Sequence, residues 1–540
     1  MPEVQKYGTI QITKRKGKGT KKEAKDIKKK GMNGVKMVIF GRTLIVLGAF
    51  LIQFLFVYLL YRTLEEHSLE VYGLFRILMV VVLLHLLSSS GNPEFRLVWM
   101  LPMVIFPVFG AVFYLYITID PGAGKIYERL QKLSVFTRKY LEEDETAKET
   151  LEREDVQVGR LAEYMRKNAN CAVYHKTHAD YYPLGEDQFE ALMEDLRSAQ
   201  KFIFMEYFII KEGYLWHEVL EVLKEKVQQG VEVRVMYDGM CALSLLPEFY
   251  PKVLEKYGIR CKMYAPIHPV FSSHYNNRDH RKILVVDGRV AHTGGTNLAD
   301  EYINREVRFG HWKDTAIRLE GDAVERFTFM FLEMWNITET KEEAYLKYKT
   351  LQEYYQKPDG FFIPYDVCPY RKARTGRRVY LDILNTARNY VHIMTPYLIL
   401  DHEMIGALTY AAGRGVEVVI LMPHIPDKKY AFIVARTYYE ELMEAGVKIY
   451  EYTPGFVHAK VFVSDDEKAV VGTINLDYRS LYHHFECGVF LYRNSQIGQI
   501  EQDFANTLEK SRQVTTEDCQ KLPMWEKVGG KALRILAPLM

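Results

Sequence analysis

The sequence lacks the patterns that hold a metal ion or direct a chain to secretion. It has six cysteines without a C-x-x-C pair or ligand spacing, so we expect structural thiols. The first long apolar run begins only near residue 38 and no A-x-A-like site follows it, so no cleavable signal peptide is expected. No carboxylate cluster of metal-binding type stands out either. We therefore expect no metal and no other cofactor.

Strong net charge is also missing, but the balance of +2 hides an asymmetry. Residues 1–42 carry 13 Lys and Arg against three acids, which leaves 58 Lys and Arg against 66 acids for the rest. A negative balance outside the tail argues against a nucleic-acid partner, which requires a basic surface. The basic tail suits a cytoplasmic flank beside anionic lipid, and a solvated, disordered Lys run is an equal alternative.

Two long uncharged runs indicate a membrane region within residues 38–118. Residues 43–61 form a run of 19 and residues 97–118 a run of 22, each long enough to cross a bilayer. For the shorter run at 77–88, a third span and a re-entrant segment both stay open. We expect a multi-pass cell-membrane protein with the N-terminus in the cytoplasm. Two spans would leave the catalytic part in the cytoplasm, and three would place it outside.

The remainder reads as two α/β repeats. Strand-like segments at 199–210, 230–236 and 258–264 have counterparts at 387–398, 415–422 and 446–452. Since helical patterns separate them, we expect two pseudo-symmetric αβαβα repeats, each with a mostly parallel sheet, after an N-terminal transmembrane helical region. The predicted boundaries are 1–37 for the basic cytoplasmic tail, 38–118 for the membrane region, 119–165 for a charged, solvated helical connector, 166–340 for repeat 1, 341–380 for an inter-repeat connector and 381–540 for repeat 2.

Each repeat carries the same short motif, H-x-K-x4-D, with an Asn 17 residues after the His. The two copies are His280, Lys282, Asp287 and Asn297, and His458, Lys460, Asp465 and Asn475. Side chains alternate along a strand, so His and Lys share one face and Asp takes the other. We count Asp287 and Asp465 with the catalytic motif, and expect them to support it structurally rather than to transfer protons.

The residue types suit a phosphodiester substrate. Two Lys and two Asn, with Thr473, would bind the phosphate, and no metal is needed to balance its charge. One His can attack phosphorus while the other protonates the leaving alkoxide and then deprotonates the incoming alcohol. A carboxylate must fix the tautomer of each His. We expect each carboxylate to come from the same repeat as its His. Glu486 is then the candidate partner of His458, and Asp314 is the candidate partner of His280.

The paired motifs resemble the HKD motifs of the phospholipase D superfamily. The resemblance extends through Gly294-Gly295-Thr-Asn297 and Gly472-Thr473-Ile-Asn475-Leu-Asp477, and the surrounding segments are similar to those of bacterial cardiolipin synthases. It implies transfer of a phosphatidyl group between two phosphatidylglycerol molecules, giving cardiolipin and glycerol through a phosphohistidine. Superfamily usage favours His280 as nucleophile. The bilayer and its lipids would be the partners, with one active site formed by both repeats of a single chain. A hydrolase, or a transferase that uses another alcohol, is the alternative.

Two further stretches have open interpretations. The basic cluster 371–378, RKARTGRR, suits either a solvated loop or a contact with a lipid surface. The C-terminal stretch 521–540 suits terminal packing, with an interfacial contact as the alternative.

Overall fold

The computed structural model describes residues 51–540 except a few short segments. Those segments are 53, 64–68, 119–120, 142–143, 248, 267–275, 340–342 and 350–358. The predicted basic tail and the first eight residues of the run 43–61 lie outside the described residues.

The N-terminal apolar region folds as helices that pack on one another. Residues 54–63 are helical, and three helices follow, α1 Leu69–Ser88, α2 Pro93–Ile105 and α3 Pro107–Thr118. The uncharged run 97–118 is therefore not one continuous helix: it breaks at Phe106, whose backbone is extended (φ −129°, ψ 79°). Pro107 explains the break, because a proline disfavours helical geometry at the residue before it and starts a helix well.

The two halves of that run form a tight hairpin. A Cβ at Gly110 of α3 would lie 2.6 Å from the Pro102 carbonyl of α2, so only glycine allows the two backbones to approach this closely. Within the described part of the chain, no helix combines the length and the apolar character that a membrane crossing requires.

Helices α4 Pro121–Arg138, α5 Glu145–Glu154 and α6 Val156–Ala169 follow. We expected a solvated connector here, and that expectation is wrong for α5 and α6. Their apolar side chains, including Leu151, Val158 and Met165, are buried in the core of the second repeat. Because these residues recur at helical spacing, they form one apolar face on helices that otherwise carry many charges.

The first repeat is built on a seven-stranded sheet in the order β1-β8-β6-β5-β2-β3-β4. Its strands are β1 Thr177–Tyr182, β2 Phe202–Tyr207, β3 Glu232–Asp238, β4 Arg260–Tyr264, β5 Lys282–Val286, β6 Val290–Gly294 and β8 Ala316–Gly321. Its helices are α7 Gly185–Ser198, α8 Tyr214–Gln228, α9 Cys241–Ser244, α10 Tyr250–Glu255 and α11 Val324–Trp335, with 3₁₀ turns at Asp300–Ile303 and Tyr345–Tyr348.

The second repeat is built on an eight-stranded sheet in the order β17-β12-β11-β10-β14-β15-β16-β9. Its strands are β9 Phe361–Val367, β10 Tyr390–Met394, β11 Glu417–Pro423, β12 Lys448–Tyr452, β14 Val461–Ser464, β15 Lys468–Gly472, β16 Glu486–Tyr492 and β17 Ser511–Gln513. Its helices are α12 Thr375–Thr386, α13 His402–Gly413, α14 Lys429–Glu444, α15 Gln496–Leu508, α16 Thr516–Gln520 and α17 Met524–Ile535, with a π-helix at Arg479–His483 and a 3₁₀ turn at Ala537–Leu539.

The two-repeat α/β architecture is confirmed, but both sheets are mixed. Among the described strands of these two sheets, β2-β3-β4 and β10-β11-β12 are parallel, and the remaining strands pair antiparallel. The expected mostly parallel order holds only where helices connect the strands, since the motif strands β5 and β14 begin hairpins. Residues 361–367 and 375–380, assigned to the inter-repeat connector, are instead a strand and a helix of the second repeat.

The sheets pack against each other through one apolar core. Phe204, Ile283 and Val285 of the first sheet belong to the same buried cluster as Val461 and Val463 of the second. A short additional sheet, β7 His311–Lys313 paired in parallel with β13 Gly455–Val457, also joins the repeats. The repeats are therefore one folded unit, and the two motif strands begin at their common interface.

The motif aspartates stabilise the backbone, as expected. The Asp287 carboxylate accepts bonds from the N–H groups of residues 200, 201 and 202 at 2.7–2.8 Å. Asp465 accepts the equivalent three bonds from residues 388, 389 and 390 at 2.8–2.9 Å. Each Asp thus fixes the start of the strand that lies beside its own motif strand.

We predict that Asp465→Ala lowers the free energy of unfolding by about 2 kcal/mol, because three charge-assisted bonds to the backbone are lost. The matched control is Asp466→Ala, since that exposed carboxylate accepts a bond from the Tyr390 hydroxyl instead. Denaturant unfolding in detergent measures the free energy of unfolding of both variants. Turnover per folded molecule stays close to normal in Asp465→Ala; a loss comparable to that of a motif histidine would assign this Asp to the chemistry.

Candidate active site

The two motif histidines lie just before their strands, where each repeat touches the other. The backbone N–H of His280 donates to the Phe485 carbonyl at 2.9 Å, and that of His458 donates to the Lys313 carbonyl at 2.7 Å. Each motif is thereby paired with a segment of the opposite repeat. Both histidines are 7% exposed, so a substrate phosphate would meet them largely shielded from water.

The carboxylate partners are exchanged between the repeats. His280 Nδ1 lies 2.9 Å from both oxygens of Glu486, and His458 Nδ1 lies 2.7 Å from Asp314 Oδ2. Both carboxylates were correctly singled out, but the expected pairing within each half is wrong. Sequence spacing favoured partners of the same repeat, whereas the parallel pairing across the interface brings each carboxylate beside the opposite His.

The difference between Gly295 and Thr473 also has a structural reason. A Cβ at Gly295 would lie 1.9 Å from Asp314 Oδ1, so a side chain there would displace that carboxylate. In the other half the Thr473 hydroxyl donates to Glu486 and accepts from the Cys487 N–H at 3.0 Å. Thr473 therefore positions Glu486, and its expected contact with the substrate phosphate stays a prediction.

The lysines are buried beside the histidines. Lys282 Nζ donates to the His280 carbonyl at 2.5 Å, and Lys460 Nζ makes the same bond to the His458 carbonyl. Burial lowers the pKa of Lys282 to about 8 and, together with the neighbouring Lys282, that of Lys460 to about 7. The free site therefore holds its protons less firmly than two exposed lysines would, and a bound anion would keep both lysines in their charged form.

Burial also keeps the histidines neutral. It lowers the pKa of His458 to about 4, with Lys460 acting in the same direction, and it holds the pKa of His280 well below its usual value. Since a carboxylate lies at each Nδ1, that nitrogen carries the proton and Nε2 has the free lone pair. A neutral imidazole with a fixed tautomer suits a nucleophile or a general base.

The two asparagines differ in their contacts. Asn297 accepts from the Ile209 N–H at 3.0 Å and donates to the Tyr302 hydroxyl at 2.8 Å, so the protein already uses both ends of its amide. The Asn475 carbonyl oxygen is buried and has no hydrogen-bond partner among the described residues. A phosphate-binding role for the two remains a prediction; it requires the Asn475 amide N–H groups, whose contact with Asp477 Oδ2 is long at 3.5 Å.

Sequence reasoning missed three side chains around the histidines. The rings of His484 and Phe208 lie 5.4 and 4.9 Å from that of His280, and the ring of Tyr302 lies 5.3 Å from that of His458. Only His484 had a signal, its position two residues before Glu486. Donor atoms of His280, His484 and Glu486 all lie within 4.8 Å of one another, close enough to hold a metal ion, so metal independence stays a prediction.

Comparisons with known proteins agree with this geometry. A family model described as cardiolipin synthase, PLD-like domain, matches residues 192–335 and 380–508, so it includes both motifs. A cardiolipin synthase of Halalkalibacterium halodurans is 31% identical over 87% of this chain and 94% of its own. The chain belongs to the cardiolipin synthase family. It is an enzyme, a phosphatidyltransferase of the phospholipase D superfamily.

Other relatives and the N-terminal match extend the comparison. Cardiolipin synthase 2 of Bacillus anthracis is 31% identical over 84% of this chain and 88% of its own. A Streptococcus mutans protein described as uncharacterized is 48% identical over 86% of this chain and 100% of its own. A model described as the phospholipase D-nuclease N-terminal region matches residues 77–117, so the helical hairpin belongs to the shared architecture.

A solved structure shares the fold at low identity. The phosphatidylserine synthase of Haemophilus influenzae aligns with 71% of this chain and 99% of its own at a TM-score of 0.53 and 13% identity. This likeness concerns the two-repeat fold alone.

The exchanged pairing gives a direct prediction for NMR. In the ¹⁵N-histidine-labelled enzyme, the Nδ1–H proton of His280 resonates downfield because it is bonded to a carboxylate, and His280→Ala identifies it. Glu486→Gln shifts or removes this signal, whereas the matched change Asp314→Asn leaves it and affects that of His458. If Asp314→Asn instead removed the His280 signal and Glu486→Gln the His458 signal, each histidine would be paired with the carboxylate of its own repeat.

Proposed function

We propose that the enzyme transfers a phosphatidyl group from one phosphatidylglycerol to a second, forming cardiolipin and releasing glycerol. The observation that carries this proposal is the pair of buried imidazoles, each held at Nδ1 by a carboxylate of the opposite repeat and flanked by a buried lysine. Two such groups are what a two-step displacement at phosphorus requires, one to form a covalent bond and one to move protons.

In the first step His280 acts as nucleophile, in keeping with the superfamily resemblance. Its Nε2 lone pair forms a bond to phosphorus, the bond from phosphorus to the glycerol oxygen breaks, and that oxygen takes a proton from His458. His458 must be protonated for this role, although burial holds its pKa at about 4 in the free site. A phosphodiester anion bound beside it would raise that pKa, because a nearby negative charge favours imidazolium.

In the second step the proton flow reverses. A hydroxyl of the second phosphatidylglycerol gives its proton to His458, its oxygen bonds to phosphorus, and the bond to His280 Nε2 breaks. The two lysines stabilise the negative charge of the phosphoryl oxygens in both steps. Water or another alcohol could replace the acceptor chemically, and the outcome of the lipid assay distinguishes these cases.

The same proposal places the enzyme at the cell membrane through its N-terminal helices, with the N-terminus in the cytoplasm. Apolar side chains on the outer surface of the hairpin support this, among them Leu97 at 65% and Val104 at 73% exposure. Such a large exposed apolar surface is costly in water and favourable in lipid. The basic tail would lie on the anionic cytoplasmic leaflet.

We predict that the purified enzyme in phosphatidylglycerol vesicles forms cardiolipin and glycerol in equal amounts, without nucleotide and in the presence of EDTA. Thin-layer chromatography and a glycerol assay measure both products. His280→Ala and His458→Ala each reduce the rate by at least about 10³-fold, because neither step proceeds without both histidines. Phosphatidic acid as the sole lipid product would identify a hydrolase, and loss of activity with EDTA would indicate a metal.

We also predict which histidine becomes covalently modified. A phosphatidyl p-nitrophenyl ester needs no acid, because p-nitrophenolate leaves as a stable anion. In His458→Ala this substrate leaves the phosphatidyl group on His280, since no base then activates the acceptor. Mass spectrometry of peptides locates the adduct. An adduct on His458 in the matched variant His280→Ala, with none in His458→Ala, would reverse the two roles.

A further inference from the structure

A cavity of about 980 Å³ lies between the N-terminal hairpin and the second repeat. None of the motif residues lines it. Its apolar wall includes Leu86, Phe95, Trp99 and Tyr114 from the helices α1 to α3. The opposite wall consists of basic residues from the cluster 371–378, the stretch for which sequence analysis left a solvated loop and a lipid contact open.

The charges in this cavity do not cancel. Five cations line it, Arg96, Lys372, Arg374, Arg377 and Arg378, against three carboxylates, Glu94, Asp401 and Glu403. The carboxylates are all engaged elsewhere in the wall. Arg377 pairs with Asp401 and Glu403, both at 2.6 Å, and Arg378 pairs with Glu403 at 2.5 Å. Glu94 accepts from the Tyr478 hydroxyl and from the His402 N–H at 2.9 Å.

Two of the cations, Arg374 and Arg96, have carbonyl partners, and Lys372 is exposed at the rim. Arg374 donates to the carbonyl oxygens of residues 369 and 482 at 2.6 and 2.8 Å, and Arg96 donates to those of residues 87 and 89, both at 3.0 Å. Within the described residues, no carboxylate forms an ion pair with Arg374, Arg96 or Lys372. A partly buried guanidinium that has only carbonyl partners favours a bound anion, because the anion restores the stabilisation that burial removes.

The hairpin holds this wall in place through specific contacts. Asn92 donates to the Tyr482 hydroxyl at 2.9 Å, and the Phe95 ring packs at 5.3 Å on the rings of Tyr482 and His483. Apolar and cationic walls thus face each other across one cavity, beside a hairpin whose outer surface is apolar. This arrangement matches a phospholipid with a negatively charged head group.

We propose that this cavity binds the phosphate of an anionic phospholipid that is not itself turned over, with Arg374, Lys372 and Arg96 around the phosphate and the acyl chains along the hairpin. The assignment rests on the membrane association proposed above. Arg374 is well suited to it, because its planar guanidinium can hold a phosphate through two parallel bonds.

The position of the cavity connects this lipid to the catalytic site. Tyr482 and His483 end the π-helix Arg479–His483, and the chain then passes directly to His484 and Glu486 beside His280. A lipid that fixes Arg374 also fixes the Tyr482 carbonyl to which it donates. The expected consequence is that anionic lipid in the bilayer orders the segment that carries the His280 partner.

The test uses the full chain carrying His280→Ala, so that no lipid is consumed, in nonionic detergent. Native mass spectrometry measures binding of short-chain phosphatidylglycerol. The double change K372Q/R374Q weakens the binding of the phosphatidylglycerol molecule in the cavity by about tenfold or more, since charge-assisted bonds to its phosphate are lost. The matched control K224Q/K252Q removes the same charge from lysines of repeat 1 and leaves binding unchanged.

Two further arms identify the ligand. Phosphatidylcholine binds no differently to the two double variants, because its head group carries no net charge. Inorganic phosphate, followed by thermal shift, gives little stabilisation. Stabilisation by phosphate that K372Q/R374Q abolishes, without any change in lipid binding, would assign the cavity to free phosphate and overturn the proposal. Equal lipid affinity of the two double variants would overturn it as well.

If K372Q/R374Q is unstable, the single change Lys372→Glu at the exposed rim replaces it, and the same weakening is expected. A separate measurement of turnover tests the proposed function. An otherwise unmodified chain that makes no cardiolipin refutes the function, whereas the binding result stands because it is measured without turnover.

Discussion

The exchange of carboxylates between the repeats is the interaction on which the site depends. Glu486 fixes the ring of His280 and Asp314 fixes that of His458, and in each pair the two residues come from different repeats. Neither repeat could therefore orient its own histidine alone. The contacts that fix the tautomer with a free Nε2 form only when the two sheets are packed, so assembly of the interface also orients both histidines.

This constraint explains features that look unrelated along the chain. Gly295 is small because Asp314 occupies the space beside it, and Thr473 carries a hydroxyl because Glu486 accepts a bond from it. The two halves are thus similar in backbone and different in the contacts of their carboxylates. Burial has a common effect on both, since it lowers the pKa of histidine and lysine alike and leaves a site whose charge increases when an anion binds.

The N-terminal hairpin is attached to the half that supplies Glu486. Its contacts with Tyr478, Tyr482 and His402 place apolar helices next to the π-helix that leads into the site. This geometry places the apolar surface of the hairpin beside the segment that leads to Glu486 and His280. An interfacial contact of the C-terminal stretch 521–540 is consistent with this apolar surface, since α17 exposes Trp525 and Val528.

The sequence by itself determined which residues form the candidate site. The spacing from His280 to Asn297 and from His458 to Asn475 identified the paired motifs, strand alternation assigned Asp287 and Asp465 to support, and the α/β pattern indicated two repeats. Local patterns suffice there because side-chain direction and turn chemistry depend on neighbouring residues. Tertiary structure alone decided which carboxylate serves which histidine, that the hairpins make the sheets mixed, and that α5 and α6 are buried. These features depend on contacts between segments far apart in the sequence, such as the bond between His280 and Glu486, which are 206 residues apart, and no local periodicity encodes such contacts.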